Sequence, residues 1–396
     1  MKLDTIIQGD SLAVLKTLPA ALVDCVVTSP PYWAQRDYLV EGQLGLEPDF
    51  HLYLDKLWAI FDEVRRVLKP TGCCFVNLGD TFSGSGGAGG YYAEGGIREG
   101  QPKVKAARMQ YPTKSLCLIP QRFAIGMVDR GWICRNEIVW YKPVCMPQSA
   151  GDRFVVDWEP VYFFVKQGKY YFDQDAVREP HTRLWDETNG GNLSSGKHAL
   201  HGGIKNISRE SPLPNPLGRA KRSVWRVVSE PAGEEHYASY PPELIRPMIL
   251  AGTSAKGCCP KCGKPWINLM ETIRPDTYNP SAKCKNNEGR GGKGISNHRP
   301  LTDIFRDALG SKRVSHGWRP TCKCGIEETT PAIVLDPFSG ISTTALVAKE
   351  EGRHYIGIEL NPASIAISNR RLAAWDAGLT RKQFALDKQG QGRLFE

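Results

Sequence analysis

Apolar positions along the chain switch repeatedly between a period of two and a period near 3.6, the pattern of strands alternating with helices. Residues 3–10 read as a short strand that ends in a Gly-Asp turn. SLAVLKTLPA follows, with Leu12, Leu15 and Leu18 at helical spacing until Pro19 stops it. VDCVVTSPPYW reads as a buried strand running into a rigid Pro-Pro turn. From residue 52 to 68, Leu52, Leu54, Leu57, Ile60, Phe61, Val64 and Leu68 form a helical stripe closed by Lys69-Pro70-Thr71-Gly72, and CCFVNLGD is the next strand. SLCLIPQRFAIGMVDRGW predicts a helix, NEIVWYKP a strand, and EPVYFFVKQGKYYF a strand pair or hairpin. Toward the end come a helix in PPELIRPMILAGT, a strand and tight turn in AIVLDPFSGISTT, a helix in TALVAKEEGR, a strand in HYIGIELN and a helix in PASIAISNRRLAAW.

Such alternation predicts an α/β fold: a doubly wound, mainly parallel sheet covered by helices on both faces. Three stretches break the rhythm. Residues 83–100 are too rich in Gly to hold a packed conformation and read as a loop, either a lid or a plain linker. Residues 175–223 and 273–314 are polar with few apolar side chains, so both read as insertions at the periphery. The expected organisation is a first part of the sheet domain (1–174), a recognition insertion (175–230), a return helix (231–257), a zinc-ribbon-like insertion (258–330), the rest of the sheet domain (331–378) and a tail (379–396).

Composition narrows the class. With 396 residues, 41% of them hydrophobic, the chain can bury a large core. No run of 18 apolar residues occurs and MKLDTIIQGD has no basic leader, so a cytoplasmic protein that does not enter membranes is expected. Fifty-one Lys and Arg against 42 Asp and Glu favour a polyanionic partner.

Chemistry concentrates at two strand ends. Asp336-Pro337-Phe338-Ser339-Gly340 follows the strand AIVL and opens a helix at Ser342-Thr343-Thr344, where open α/β sheets bind ligands. Free backbone N–H groups there can receive an anion, and Glu359, 19 residues beyond Gly340 at the end of the next strand, can accept from ribose hydroxyls. The G-x-G-x-x-G pyrophosphate loop is absent, which favours a nucleoside cofactor without pyrophosphate; the competing reading is that Asp336 and Glu359 only cap helices. Thr28-Ser29-Pro30-Pro31-Tyr32-Trp33 ends the strand VDCVV. Two prolines there leave carbonyls outside the regular ladder beside an aromatic ring, a setting for a flipped base whose amine the acceptors hold, or for an ordinary structural turn.

Together these segments resemble the two signatures of the amino-methylating DNA methyltransferases, S/D/N-P-P-Y/F/W and D-P-F-x-G-x-G/S-T, in the order of the permuted beta group. IIQGD, RVLKPTG, RGWICRNEIVWYKP, HYASYPPELI and GIELNP extend the likeness over most of the chain. The resemblance implies S-adenosyl-L-methionine as cofactor and double-stranded DNA as partner, with Ser29, Pro30, Pro31 and Tyr32 as catalytic turn. It places Asp10, Thr28, Asp336, Pro337, Phe338, Ser339, Gly340, Thr343, Thr344 and Glu359 around the cofactor. Ile341 and Ser342 stand where the family more often has Ser and Gly, which leaves their own contacts open. Ser29 in place of Asp resembles the cytosine-N4 members, with adenine N6 the alternative. Membership of a restriction-modification pair is a further expectation, and the oligomeric state stays open between monomer and homodimer.

Of the 12 Cys, Cys259-Pro260-Lys261-Cys262-Gly263 and Cys322-Lys323-Cys324-Gly325 have the look of a zinc ribbon, so Cys259, Cys262, Cys322 and Cys324 are expected to hold a structural Zn2+, with Cys258 or Cys284 as substitutes. Lys205, Arg209, Arg219, Lys221 and Arg222 are candidates for phosphate contact or a solvated face. His236 and Tyr237 read as packing residues. The competing functions are methylation of RNA or protein, and a non-enzymatic zinc-bearing nucleic-acid-binding module.

Overall fold

Asp10 turns the first strand into the first helix. Its carboxylate accepts the Ala13 N–H at 2.9 Å, so β1 (Thr5–Gln8) passes directly into α1 (Ser11–Thr17). β2 (Val23–Thr28), α2 (Phe50–Val67) and β3 (Leu68–Asn77) follow, then α3 (Ile119–Asp129), β4 (Ile133–Tyr141) and β5 (Trp158–Val165). After them come β6 (Val224–Arg226), α4 (Pro242–Gly252), β7 (Trp266–Ile273) and β8 (Lys312–Pro320). β9 (Ile333–Asp336), α5 (Thr343–Glu350), β10 (His354–Glu359) and α6 (Pro362–Asp376) complete the order. The structure is a computed structural model and describes residues 2–84, 111–145, 148, 150–180, 215–229, 240–273 and 312–379.

Eight strands make one sheet in the order β1-β10-β9-β2-β3-β5-β4-β6. Neighbours run parallel except where β5 pairs with β3 and β4. Period-two side chains split the core in two. Val23, Val26, Cys74 and Val76 point to the face covered by α1, α2 and α3, while Cys25, Val27, Cys73 and Phe75 point to the face that receives Leu244, Ile245, Met248, Leu346 and Leu372 of α4, α5 and α6. The doubly wound, mainly parallel α/β sheet read from the sequence is the fold of the protein.

Local departures have identifiable causes. The expected hairpin after β5 is a single strand: Tyr170 and Phe172 pack on the ring of Phe163 at 5.8 and 5.7 Å, and the Tyr171 N–H donates to the Thr71 carbonyl of β3 rather than pairing back onto β5. β3 begins at Leu68, so Lys69-Pro70-Thr71-Gly72 lies inside a strand that is irregular against Val23–Cys25, not in a turn. Within the stretch expected as an insertion, Val224–Arg226 joins the large sheet beside β4, and β7 pairs with β8 in a separate ribbon.

The chain forms two compact units. One comprises residues 1–173, 222–266 and 320–396; the other comprises 174–221 and 267–319. In the second unit Asp175 pairs with Arg178 and Arg313, and Glu179 with Arg219 and Lys221. The Gly-rich stretch beyond Gly84, together with Lys205, Arg209, His236, Tyr237, Cys284 and nearly all of the tail, lies outside the described residues. Among the described residues no helix is long and apolar enough to cross a membrane.

Candidate active site

β2 and β9 lie side by side, and their carboxyl ends carry the two turns singled out in the sequence. From β2 the chain winds toward β3; from β9 it winds to β10 on the opposite side. The crevice between them is therefore the point where the winding reverses, the usual ligand site of an open α/β sheet. A buried knot joins the two ends. Thr28, the last residue of β2, donates to Asp336 Oδ1 at 2.6 Å, and the Phe338 N–H donates to the same oxygen at 3.0 Å. The hydroxyls of Thr344 and Tyr240 lie 2.7 and 2.9 Å from Oδ2 and are hydrogen-bonded to each other. Burial raises the Asp336 carboxyl above its ordinary pKa, and the surrounding donors oppose that rise by stabilising the charge.

In front of the knot opens a cavity of about 1050 Å3. Asp10, Ser29, Pro30, Pro31 and Tyr32 form part of its wall, and Pro337, Phe338, Ser339, Gly340, Thr343 and Glu359 another part. Thr28, Asp336 and Thr344 stand behind the wall, each at most 3% exposed. Ile341 lines the cavity, whereas Ser342 is wholly buried, with φ +62° and its hydroxyl bonded to those of Ser339 and Ser368. Glu359 accepts one backbone N–H on each oxygen, from Gly340 and Asn361, both at 2.7 Å. Each oxygen keeps a further lone pair. Burial raises its pKa against those hydrogen bonds.

Tyr32 is clamped. Its Oη lies 2.9 Å from both Asn77 Oδ1 and Glu159 Oε2 and gives its single proton to one of them; Ser29 Oγ lies 3.4 Å away. Burial and the Glu159 charge push the phenol pKa well up, so the hydroxyl stays protonated. Gly79 sits against the ring: a Cβ there would come within 2.3 Å of Tyr32 Cε2. Tyr53 donates to the Pro31 carbonyl at 2.8 Å and fixes the second proline of the turn.

The four cysteines converge as well. The sulfurs of Cys259, Cys262, Cys322 and Cys324 lie within 4.8 Å of one another. A tetrahedral zinc with Zn–S bonds near 2.3 Å needs sulfurs ~3.8 Å apart, so small side-chain movements suffice. Each pair is followed by a glycine at φ +68°, Gly263 and Gly325, a left-handed turn that lets backbone wrap the thiolates. Cys258 is not part of the cluster: its thiol lies 3.3 Å from Asp24 Oδ1.

The model of the DNA methylase family of the N6/N4 type matches residues 23–259 and 326–370. The chain belongs to this family. The Type II methyltransferase M.XycI of Xanthomonas campestris pv. cyanopsidis is 32% identical over 381 residues, covering 95% of this chain and 90% of that protein. The Type II methyltransferase M.Cfr9I of Citrobacter freundii is 31% identical over the same shares. A solved PvuII DNA methyltransferase, described as cytosine-N4-specific, is similar with a TM-score of 0.49 at 17% identity, covering 92% of this chain and 84% of that one. The protein is thus an S-adenosylmethionine-dependent DNA methyltransferase acting on an exocyclic amine.

Sequence reading of this methylase missed Tyr240, Asn77, Lys142 and Glu159. Tyr240 is in the quoted segment HYASYPPELI, but nothing in its spacing ties it to a carboxylate 96 positions away. Asn77 follows from CCFVNLGD, a third strand end at the same edge of the sheet, and that position was a usable signal. One prediction concerns the clamp. Gly79→Ala forces the Tyr32 ring to shift, and an ångström of misplacement costs up to ~100-fold in rate. The variant should keep its unfolding midpoint within a few degrees while methyl transfer to DNA drops at least ~10-fold; a wild-type rate would show that the ring position does not matter.

Proposed function

We propose that this protein is a site-specific methyltransferase that moves a methyl group from S-adenosyl-L-methionine to N4 of a cytosine flipped out of duplex DNA. The observation that carries the reading is the opening of the Ser29–Tyr32 turn and the Asp336–Gly340 turn into one cavity from neighbouring strands. Its volume exceeds the ~300–1,000 Å3 of a typical single-ligand pocket, which leaves room for a nucleoside cofactor and a base together.

When bound, the cofactor supplies an electrophilic sulfonium methyl. The residues present suit it: Glu359 offers free lone pairs to ribose hydroxyls, and Pro337, Phe338, Ser339, Gly340 and Thr343 face the cavity beside it, with Asp10 on the adenine side. Thr28, Asp336 and Thr344 act from behind by holding this wall in shape. Ser29 and Pro30 take hydrogen bonds from the amine. That draws its nitrogen lone pair out of conjugation and toward the methyl, while the clamped ring of Tyr32 stacks on the base. No covalent enzyme intermediate is needed, and catalysis is mostly positioning. Cytosine is favoured over adenine because Ser29 puts a neutral hydroxyl where the adenine-specific members resembled by this chain commonly have a carboxylate.

Cys259, Cys262, Cys322 and Cys324 hold a structural zinc, since four protein thiolates leave no open coordination position. The Type II names of the relatives support a place in a restriction-modification pair, with the cytoplasm as the site of action. The second unit, residues 174–221 and 267–319, interrupts the methyltransferase domain in the sequence and is read as its recognition part, while Val224–Arg226 and the four cysteines belong to the first unit. Arg219 and Lys221 are engaged with Glu179, so phosphate contact by them requires exchange of those ion pairs.

Incubation with S-adenosylmethionine and unmethylated duplex DNA, followed by nucleoside mass spectrometry, should yield N4-methylcytosine. N6-methyladenine alone would overturn the choice of base, and neither product, with cofactor bound, would move the substrate to RNA or protein. Metal analysis of freshly purified, reduced protein should find about one zinc per chain; a value near zero in protein that remains folded would remove the four-thiolate site.

A further inference from the structure

A base that leaves the double helix leaves a gap, and its neighbours lose a stacking partner on both sides. A protein that opens DNA gains by filling such a gap with an apolar side chain, as wedges between base steps do. The side chain must stand at the mouth of the cavity that takes the base, be spared by the protein's own core, and rest on fixed backbone.

The loop between β4 and β5 meets all three conditions. It leaves the sheet at Lys142, whose ammonium pairs with Glu159 and lies 4.2 Å from the centre of the Trp140 ring. Val144, Arg153 and Val156 of this loop line the cavity, as does Trp158 at the start of β5. Phe154 lies between Arg153 and Val156 in sequence, is 96% exposed and belongs to neither core. Val144, Val155, Val156 and Trp158 are exposed as well. Single exposed apolar residues are ordinary, but such a group around the mouth of a ligand cavity marks an interaction surface.

The backbone that carries Phe154 is held. The Lys142 N–H donates to the Asp157 carbonyl at 2.7 Å and closes the base of the loop, and Gln148 Nε2 donates to the Val156 carbonyl at 3.1 Å. Arg153 Nη1 donates to Gln148 Oε1 at 2.7 Å and to the Phe154 carbonyl at 3.1 Å, while its guanidinium lies 4.1 Å from the centre of the Phe82 ring. Leu39 also stands at the rim, 74% exposed between the cavity-lining Tyr38 and Val40, but an aliphatic side chain has no flat face for stacking.

We infer that Phe154 is a wedge: when a base leaves duplex DNA for the cavity, its ring enters the vacated space and stacks on the neighbouring base pair. The inference rests on the reading that the target base is flipped, and not on which base it is. Its occupant is a duplex, since only a duplex leaves a gap bounded by stacked bases. A base stacked on an aromatic side chain gains roughly 5- to 150-fold in an equilibrium.

Sequencing of the wild-type product first locates the methylated position. The target base is then replaced by a fluorescent analogue that brightens on unstacking, pyrrolocytosine for cytosine or 2-aminopurine for adenine. The duplex is titrated with protein in the presence of S-adenosylhomocysteine. Wild type, Phe154→Trp and Leu39→Ala should all give a fluorescence rise. Phe154→Ala should reach less than about half of it at saturation and lose at least ~10-fold in kcat/KM, with cofactor affinity within about threefold of wild type. Its unfolding midpoint should stay unchanged, because the ring touches no core. A full rise with Phe154→Ala, or a loss confined to Leu39→Ala, would overturn the inference. No rise with wild type would overturn the flipped-base reading itself, before any variant is compared.

Discussion

The hydrogen bond from Thr28 to Asp336 joins two strand ends 308 residues apart in sequence, and the site is built around it. In the proposed mechanism β2 ends in the turn that meets the base and β9 in the turn that meets the cofactor. The two strands are neighbours at the point where the sheet reverses its winding. Transfer of a methyl from sulfur to nitrogen demands that both atoms be brought into line, and a reaction that works by positioning gains most when its two partners rest on rigid elements. A carboxylate buried between the strands would be costly if left alone. Thr28, Thr344, Tyr240 and the Phe338 N–H surround it, and the hydroxyls of Thr344 and Tyr240 also lie 3.3 and 3.5 Å from the Val27 carbonyl of β2, so displacement of one strand end against the other breaks several hydrogen bonds at once.

The outer wall repeats this logic with weaker burial. Glu359 gives one lone pair on each oxygen to backbone N–H groups of the Asp336–Gly340 turn and of the residue that opens the helix after β10, which sets its orientation before any ligand arrives. Tyr32 has its hydroxyl tied to Asn77 and Glu159 and its ring backed by Gly79, so it offers a flat surface at little entropic cost. Residues at the ends of β2, β3, β4, β9 and β10, and from the start of β5, line the same cavity.

Much of this was legible beforehand because the signals were local. Period-two and period-3.6 stripes fix strands and helices one at a time, and the turns Ser29-Pro30-Pro31-Tyr32 and Asp336-Pro337-Phe338-Ser339-Gly340 are contiguous strings whose place at strand ends follows from the apolar runs before them. Long-range partners were not legible. Tyr240, Lys142 and Glu159 carry no local pattern, and Asn77 only its place at a strand end; the pairing of β3, β4 and β5 is what brings Asn77 and Glu159 to Tyr32. Likewise Val224–Arg226 looked like part of a polar insertion, because a three-residue edge strand is too short for periodicity to register. The expected hairpin after Val165 failed for a related reason: Tyr170 and Phe172 look like strand residues, but their rings serve packing on Phe163.

A double-mutant cycle on Thr28→Val and Asp336→Asn, read in the rate of methyl transfer to DNA under saturating cofactor, tests most directly whether the two strand ends act as one unit. The account predicts that the double variant is scarcely worse than the poorer single variant, with a coupling of ~1 kcal/mol or more. Losses that add to within ~0.3 kcal/mol would contradict it, because the two turns would then be positioned independently.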